Sequence, residues 1–194
     1  LEHRRQRQMC IRDRTTPDGF AHQMIIQPRM AFGTGHHETT RGLLSEMAGM
    51  KWKGRRVLDM GCGSGVLGIY AAMRGASEVL LVDIDPWSVR NTRENLELNG
   101  FSEGPLMGVR EGGAGVLQPS DAARFDVVIA NINRNILLES MAAYCSSMSS
   151  ESVLMLSGFM APDIEPLLER GKSLGLSQMA LREEGEWRVL SLRK

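Results

Sequence analysis

Three glycines at alternate positions end the segment 57–65, directly after a short apolar run. Such a run is typical of a buried parallel strand. Gly61, Gly63 and Gly65 let the backbone turn sharply and approach a ligand because they carry no Cβ atom. We expect the helix that follows to direct its free N–H groups at that ligand. The spacing Gly63-x-Gly65-x-x-Gly68 also satisfies the dinucleotide fingerprint, so the segment predicts a nucleotide-binding turn and leaves nicotinamide, flavin and methyl-donor cofactors open.

Two carboxylates accompany this turn. Asp83 ends the second predicted strand, where it would reach the hydroxyl groups of a ribose lying over the turn; the alternative is a solvated acid at a strand end. Asp59 lies inside the first strand. A carboxylate there opposes the anionic pyrophosphate of NAD but suits the sulfonium and ammonium groups of S-adenosylmethionine (SAM). A compatible second role for Asp59 is to brace the turn by accepting backbone N–H bonds.

Asn131 follows the fourth predicted strand, at the edge where open α/β sheets place reacting groups. Its amide oxygen can accept a hydrogen bond from an incoming amine and direct the nitrogen lone pair at a sulfonium methyl group. An amide is not a strong base, so the amine must lose its proton to water before attack. Catalysis would then depend on orientation and on dispersal of the donor's charge. Capping of a turn is the structural alternative for Asn131.

Strands and helices alternate along most of the chain. The apolar pattern predicts strands at 24–26, 57–60, 79–83, 107–109, 125–130, 153–156, 176–181 and 187–192. It predicts helices from Thr39 or Thr40 to about Met50 and at 66–73, 86–98, 136–145 and 164–174. This βαβ alternation predicts an α/β fold with a Rossmann-like, doubly wound, mostly parallel sheet that ends in an antiparallel hairpin.

The composition is that of an ordinary globular domain. The chain has 194 residues, of which 42% are hydrophobic, and its 23 Lys and Arg residues balance 23 Asp and Glu residues. This balance gives no net field toward nucleic acid or an anionic membrane. No apolar stretch is long enough to span a bilayer and no secretory signal is present, so we expect a cytoplasmic protein. The 3 cysteines lack Cys-x-x-Cys spacing, which argues against disulfides and a zinc site.

The chain divides into three parts by composition. Residues 1–14 are rich in Arg and Gln without an apolar period, and we expect a disordered or non-native basic tail there. Residues 15–55 form an N-terminal segment and helix. Residues 56–194 form the nucleotide-binding domain.

The motifs resemble those of a known family. Asp59-x-Gly61-x-Gly63-x-Gly65 with Asp83 is similar to the SAM site of Rossmann-like methyltransferases. A narrower resemblance, from about residue 24 to the C-terminus, is to the PrmA family. It rests on these segments in this order: Phe32-Gly-Thr-Gly-His-His-Glu-Thr-Thr40, the glycine turn, Val82-Asp-Ile-Asp-Pro86, Ala130-Asn-Ile132, Leu156-Ser-Gly158 and Glu186-Trp187.

The resemblance implies a set of cofactor-binding residues. The positions matching Thr40, Gly61, Asp83 and Asn131 bind SAM in that family. Weaker candidates are Asp59, Gly63, Gly65, Phe32 and Gly33. His36 and Glu38 replace the Thr and Pro that are commoner in the family, so neither side chain is given a role. For the aromatic residues Phe32 and Trp187 we expect core packing, with a wall of the methyl-donor or amine pocket as the alternative. No metal is implied, and the adjacent histidines at 36 and 37 make a poor metal site.

The resemblance also implies an activity. PrmA enzymes methylate lysine and N-terminal amines of the large-subunit ribosomal protein eleven, and a separate N-terminal domain, which we expect to be absent here, recognises that substrate. The alternatives are a methyltransferase for RNA or a small molecule, a SAM-binding module without activity, and an NAD-dependent oxidoreductase. Residues 131–134 lack the Asn-Pro-Pro-aromatic segment common in enzymes that methylate a flipped adenine or a glutamine amide, which argues against a nucleobase. We expect a monomer without direct nucleic-acid or membrane contacts.

Overall fold

The computed structural model describes residues 7–11, 22–27 and 37–194. Within these residues it contains nine strands and five α-helices. The strands are β1 Arg7–Ile11, β2 His22–Ile26, β3 Arg56–Met60, β4 Glu78–Asp83, β5 Met107–Glu111, β6 Phe125–Asn131, β7 Met148–Met160, β8 Ser177–Glu184 and β9 Trp187–Arg193. The helices are α1 Glu38–Ala48, α2 Val66–Met73, α3 Pro86–Leu98, α4 Arg134–Ser147 and α5 Ile164–Ser173.

Seven strands form the central sheet, in the order β5-β4-β3-β6-β7-β9-β8. The neighbours from β5 to β7 pair in parallel, whereas β9 is antiparallel to both β7 and β8. The chain order reverses between β3 and β6, and open α/β sheets bind ligands in the crevice outside such a switch point. The predicted fold class, a mostly parallel doubly wound sheet closed by an antiparallel hairpin, is confirmed.

Helices cover both faces of this sheet. Helices α1, α2 and α3 pack on one face, through side chains that include Leu43, Ile69 and Val89. On the other face, Leu137 of α4 and Leu167 of α5 join a second core cluster. In the described part of the chain, no helix has both the length and the apolar character needed to cross a membrane.

Most predicted elements lie where the apolar pattern placed them. Helices α2 and α3 have the predicted bounds, and Asp85 caps α3 by accepting hydrogen bonds from the N–H groups of Trp87 and Ser88 at 3.1 and 3.2 Å. Two predicted helix starts were wrong. The cap of α1 is His37, not Thr39 or Thr40, and α4 begins at Arg134 because the side chain of Asn133 accepts a hydrogen bond from Ile136 N.

The N-terminal region adds a strand that the sequence did not predict. A disordered or non-native tail was expected for residues 1–14; of these, the structure describes Arg7–Ile11, which form strand β1 and pair antiparallel with β2 in a separate two-stranded sheet. Strand β2 in turn is fastened to α3, since Asn99 Oδ1 accepts a hydrogen bond from Ile25 N and Asn95 Oδ1 accepts one from Gln27 N, both at 2.9 Å.

Candidate functional site

A cleft of about 640 Å³ lies at the carboxyl edge of the parallel strands, at the switch point between β3 and β6. Its walls come from the ends of β3, β4, β5 and β6, from the first turns of α1 and α3, from one face of α4, and from Trp187 at the start of β9. A cavity of this size is within the range of about 300–1,000 Å³ that small-molecule sites occupy. The topology thus places one cleft over the residues that the sequence singled out.

The glycine turn forms the floor of this cleft. Gly61, Gly63 and Gly65 have φ angles of 70°, 56° and 79°, a left-handed conformation that other residues adopt at a cost. Gly61 also has no room for a side chain, because a Cβ atom there would lie 2.8 Å from Cγ1 of Ile132. Glycine is therefore required at these positions by the left-handed backbone conformation and, at Gly61, also by the lack of space for a side chain.

The N–H groups of the turn are taken up by the protein's own oxygen atoms. The carbonyl of Val82 accepts hydrogen bonds from Gly61 N at 2.7 Å and Cys62 N at 3.1 Å. Gly63 N donates to Asp83 Oδ2 at 2.8 Å, and Gly68 N, in the first turn of α2, donates to Asp59 Oδ2 at 3.0 Å. The sequence predicted free N–H groups at this helix start. The geometry shows that Gly68 N at this helix start, and Gly61 N, Cys62 N and Gly63 N in the turn, are already bonded, so these four groups are not available to an anionic pyrophosphate.

Asp83 lies where the sequence predicted, at the end of β4 and in the wall of the cleft. Its side chain is held by two backbone groups, with Oδ2 accepting from Gly63 N and Oδ1 accepting from Asp85 N at 2.9 Å. The residue is 9% exposed. A carboxylate oxygen has about two lone-pair sites, so each oxygen retains a site for a ligand hydroxyl group.

Asp59 lies beneath the turn and is 0% exposed. Its Oδ2 atom accepts the bond from Gly68 N, while its Oδ1 atom has no hydrogen-bond partner among the described residues. Burial raises the pKa of Asp59 from 3.8 to about 7, the Gly68 bond opposes this rise, and the nearby charge of Asp83 adds to it. Asp59 is not among the residues that line the cleft. Its position matches the bracing role.

Asn131 and Thr40 meet across the cleft. Asn131 ends β6, and its Nδ2 atom lies 3.4 Å from Oγ1 of Thr40, which is buried in the first turn of α1. Because the amide nitrogen faces the threonine hydroxyl, the amide oxygen of Asn131 is left to accept a hydrogen bond from a ligand. The fold therefore brings four predicted binding residues, Thr40, Gly61, Asp83 and Asn131, to one cleft.

Among the apolar side chains that line the cleft besides the predicted binding residues are Ile84 and Trp187, of which the sequence singled out only Trp187. Ile84 is 76% exposed in the wall beside Asp83, although it is apolar. The position directly after a strand-end acid could have indicated it. Trp187 lines the cleft and makes an edge-to-face contact with His37, with ring centroids 5.2 Å apart. The expected core packing of Trp187 gives way to the alternative position in the pocket wall.

Two candidate residues, Phe32 and Gly33, lie outside the residues that the structure describes, as does His36. Within residues 7–11, 22–27 and 37–194, no group of three or more His, Cys, Asp or Glu side chains could hold a metal ion.

Comparisons with known proteins agree with this geometry. The model of the family "Ribosomal protein L11 methyltransferase (PrmA)" matches residues 8–194. The ribosomal protein L11 methyltransferase of Porphyromonas gingivalis is 48% identical over 168 residues, which are 87% of this chain and 56% of that protein. The enzyme of the same name from Citrobacter koseri is 36% identical over 187 residues, or 96% of this chain and 61% of that protein. This chain thus spans little more than half the length of these relatives.

Solved structures share the fold. The crystal structure of ribosomal protein L11 methylase from Lactobacillus delbrueckii subsp. bulgaricus superposes with a TM-score of 0.73 at 27% identity, covering 82% of this chain and 81% of that one. Magnesium protoporphyrin IX methyltransferase from Synechocystis, solved with bound SAM, superposes with a TM-score of 0.63 at 21% identity over 82% of this chain and 80% of its own, which shows the fold alone. On the match across residues 8–194, this chain belongs to the ribosomal protein L11 methyltransferase (PrmA) family.

Proposed function

We propose that this chain is the catalytic part of a SAM-dependent protein N-methyltransferase that methylates lysine side-chain and N-terminal amines of ribosomal protein L11. The hydrogen bonding of the glycine turn carries this proposal. The N–H groups of Gly61, Gly63 and Gly68 are bonded to protein oxygens, and Asp83 presents a carboxylate to the same cleft. Such a site disfavours a pyrophosphate and suits a nucleoside that carries positive charge.

The residues of the cleft fit SAM. Asp83 would accept hydrogen bonds from the ribose hydroxyl groups, and exposed Ile84 beside it offers an apolar surface to the base. Gly61 and Gly63 permit close approach of the backbone. Asn131 and Thr40 lie at the opposite end, toward the methionine part of the ligand. We keep Phe32 and Gly33 as candidates on the family resemblance alone.

The amine is proposed to enter beside Asn131. SAM supplies a methyl group on a sulfonium, which an amine lone pair displaces in line. The amide oxygen of Asn131 accepts one N–H bond of the neutral amine and so holds its lone pair toward the methyl group, while the proton leaves to water beforehand. The aromatic wall of His37 and Trp187 provides the apolar, electron-rich surface that favours an alkylated ammonium group.

The names of the relatives support the proposed substrate, and the same relatives are longer than this chain. Methylation of RNA or of a small molecule, and SAM binding without activity, are therefore outcomes that the experiment must distinguish. We further propose that the protein acts as a monomer in the cytoplasm.

Isothermal titration calorimetry of the chain with SAM, S-adenosylhomocysteine and NAD tests the cofactor. We expect binding of the first two and not of NAD; binding of NAD alone would overturn the proposal.

Radiolabelled methyl transfer from SAM to purified ribosomal protein L11 then tests the substrate, with the Asn131→Ala variant as the matched control. Label on the protein in the wild type only, mapped to amines by mass spectrometry, is the expected result. SAM binding without any label supports a binding module instead.

A further inference from the structure

One face of helix α4 lines the cleft from its rim to its buried end, and we call the three residues on this face the stripe. Ile136, Ser140 and Tyr144 all line the cleft, and their spacing of four residues places them on one face of the helix. Ile136 is 41% exposed, whereas Tyr144 is 1% exposed. The stripe therefore leads from the rim of the cleft to a buried phenol.

The space beside this stripe is a lobe of the cleft with mostly apolar walls. Gly112 and Ala114, after the end of β5, form the facing wall, since the turn at 114–116 contacts α4, and Met60 also lines the cleft. Ala114 packs against the same core cluster that contains Met60 and Tyr144. The hydroxyl groups of Ser140 and Tyr144 are thus polar atoms in an apolar recess, where an unpaired polar group is costly.

The two hydroxyl groups lie one helical turn apart on the same face of α4, and both residues line the cleft. Burial raises the pKa of Tyr144, so its phenol stays protonated at neutral pH. Each hydroxyl group carries one O–H donor and two oxygen lone pairs. The two groups can therefore both donate to and accept from a ligand that enters the recess.

The position of Asp83 determines which part of the ligand reaches this lobe. A ribose bound at Asp83 has Asn131 and Thr40 on one side and Gly112–Ala114 on the other. The reacting methyl group belongs beside Asn131, where the amine is held. The base must then extend toward Gly112–Ala114, which is the wall that faces Ser140 and Tyr144.

We propose that Ser140 and Tyr144 are specificity-determining residues, whose neighbouring hydroxyl groups bind the polar edge of the purine through its 6-amino group. This inference rests on the proposed SAM binding. Adenine presents an amine donor beside a ring-nitrogen acceptor, and the hydroxyl pair offers the complementary acceptor and donor. A pocket built to hydrogen-bond a ligand group rejects the analogue that lacks it more strongly than a purely apolar pocket does.

A chemical double-mutant cycle tests the inference. Calorimetry compares S-adenosylhomocysteine with its analogue lacking the 6-amino group, on the wild type and on the Tyr144→Phe and Ser140→Ala variants. We expect the wild type to bind the analogue about 10-fold more weakly than it binds S-adenosylhomocysteine. We expect Tyr144→Phe to bind S-adenosylhomocysteine about 10-fold more weakly than the wild type does. The affinities of this variant for the two ligands should differ by no more than about twofold.

Ser146→Ala is the matched control, since Ser146 lies on the same helix, is exposed and bonds to the Ala142 carbonyl away from the cleft. It should behave like the wild type. If Tyr144→Phe fails to fold, Ser140→Ala provides the comparison. An unchanged ratio between the two ligands in the variants would overturn the inference while leaving SAM binding intact. If neither ligand binds the wild type, the proposed function fails and the inference fails with it.

Discussion

Two carboxylates on opposite sides of one glycine turn differ in almost every respect. Asp59 lies beneath the turn, fully buried, and one of its oxygens has no hydrogen-bond partner in the part of the chain that the structure describes. Asp83 lies at the rim, where both oxygens accept backbone N–H bonds and the side chain lines the cleft. The sequence predicted a ligand-facing role for both. The difference shows that an acid inside a strand and an acid at the strand's end serve different parts of one site.

The physical cause is the depth of each residue along its strand. Asp59 is followed by Met60 before β3 ends, so it stays below the carboxyl edge, under α2. Asp83 is the last residue of β4 and reaches the crevice. Asp59 therefore stabilises the shape of the turn through Gly68, and Asp83 is the carboxylate that a ligand can reach.

The largest expected effect tests the buried carboxylate. In the folded protein the pKa of Asp59 is raised from 3.8 to about 7. At pH values between these two, the folded state therefore keeps a proton on Asp59 that the unfolded state has released. Stability therefore falls as the pH rises from about 4 to about 7, by up to about 4 kcal/mol from this group. Asp59→Asn removes this loss because its amide stays neutral and can still accept the Gly68 bond.

Urea unfolding of both proteins at pH 5 and pH 8 measures this effect. The free energy of unfolding of Asp59→Asn, relative to that of the wild type, should be higher at pH 8 than at pH 5. The groups nearest to Asp59 are Asp83 and Cys62, and burial raises the pKa of the Cys62 thiol well above its usual value, so Cys62 does not titrate in this window. If the difference in unfolding free energy between Asp59→Asn and the wild type is the same at both pH values, Asp59 is already ionised in the folded protein at pH 5.

The second prediction tests the carboxylate at the rim. Asp83→Ala should weaken SAM binding by about 1–3 kcal/mol, because the ribose hydroxyl groups lose their acceptor. Calorimetry at pH 7 measures the affinity, with circular dichroism to confirm the fold. Asp59→Asn is the matched control and should change the affinity by less than about threefold. A larger loss in Asp59→Asn than in Asp83→Ala would reverse the comparison.

Sequence patterns predicted the fold because burial and turn chemistry are local here. The apolar strands β3, β4 and β6, the helix start at Pro86 and the glycine turn each have a physical cause within a few residues. The starts of α1 and α4 were wrong because His37 and Asn133 act as caps through side-chain geometry. Strand β1 was not predicted because residues 7–11 have no alternating apolar pattern, and its register depends on its pairing with β2.

Apart from Thr40, which the family resemblance supplied, the site was predictable at the glycine turn and at the strand ends. Asp83 and Asn131 end their strands, and their positions followed from topology. The contact between Asn131 and Thr40 joins β6 to α1, and the contact between His37 and Trp187 joins α1 to β9. Such contacts depend on how separate elements pack, which spacing along the chain does not encode.

A smaller effect tests the packing that supports Asp59. A Cβ atom on Gly68 would lie 2.6 Å from Cδ2 of Leu81, so Gly68→Ala pushes α2 away from β4. Overpacking destabilises a protein by about 1–3 kcal/mol, whereas the higher helix propensity of alanine over glycine stabilises it by about 1 kcal/mol. We expect a net loss of about 1 kcal/mol in urea unfolding at pH 7. Gly104→Ala, in open space at a normal φ angle, is the control and should change stability far less. Equal stabilities would mean that Leu81 yields freely.

The smallest expected effect extends the comparison to the opposite rim. Thr40→Val keeps the shape of the side chain but removes the oxygen that faces Nδ2 of Asn131. The lost bond, at 3.4 Å, should weaken SAM binding by about 0.5–1.5 kcal/mol in calorimetry at pH 7. Thr40→Ser retains the hydroxyl group and should lose less than half of that. If the two variants lose equal affinity, Thr40 acts through packing alone. Of the two rim residues Thr40 and Asp83, only Asp83 would then contribute through its oxygen atoms.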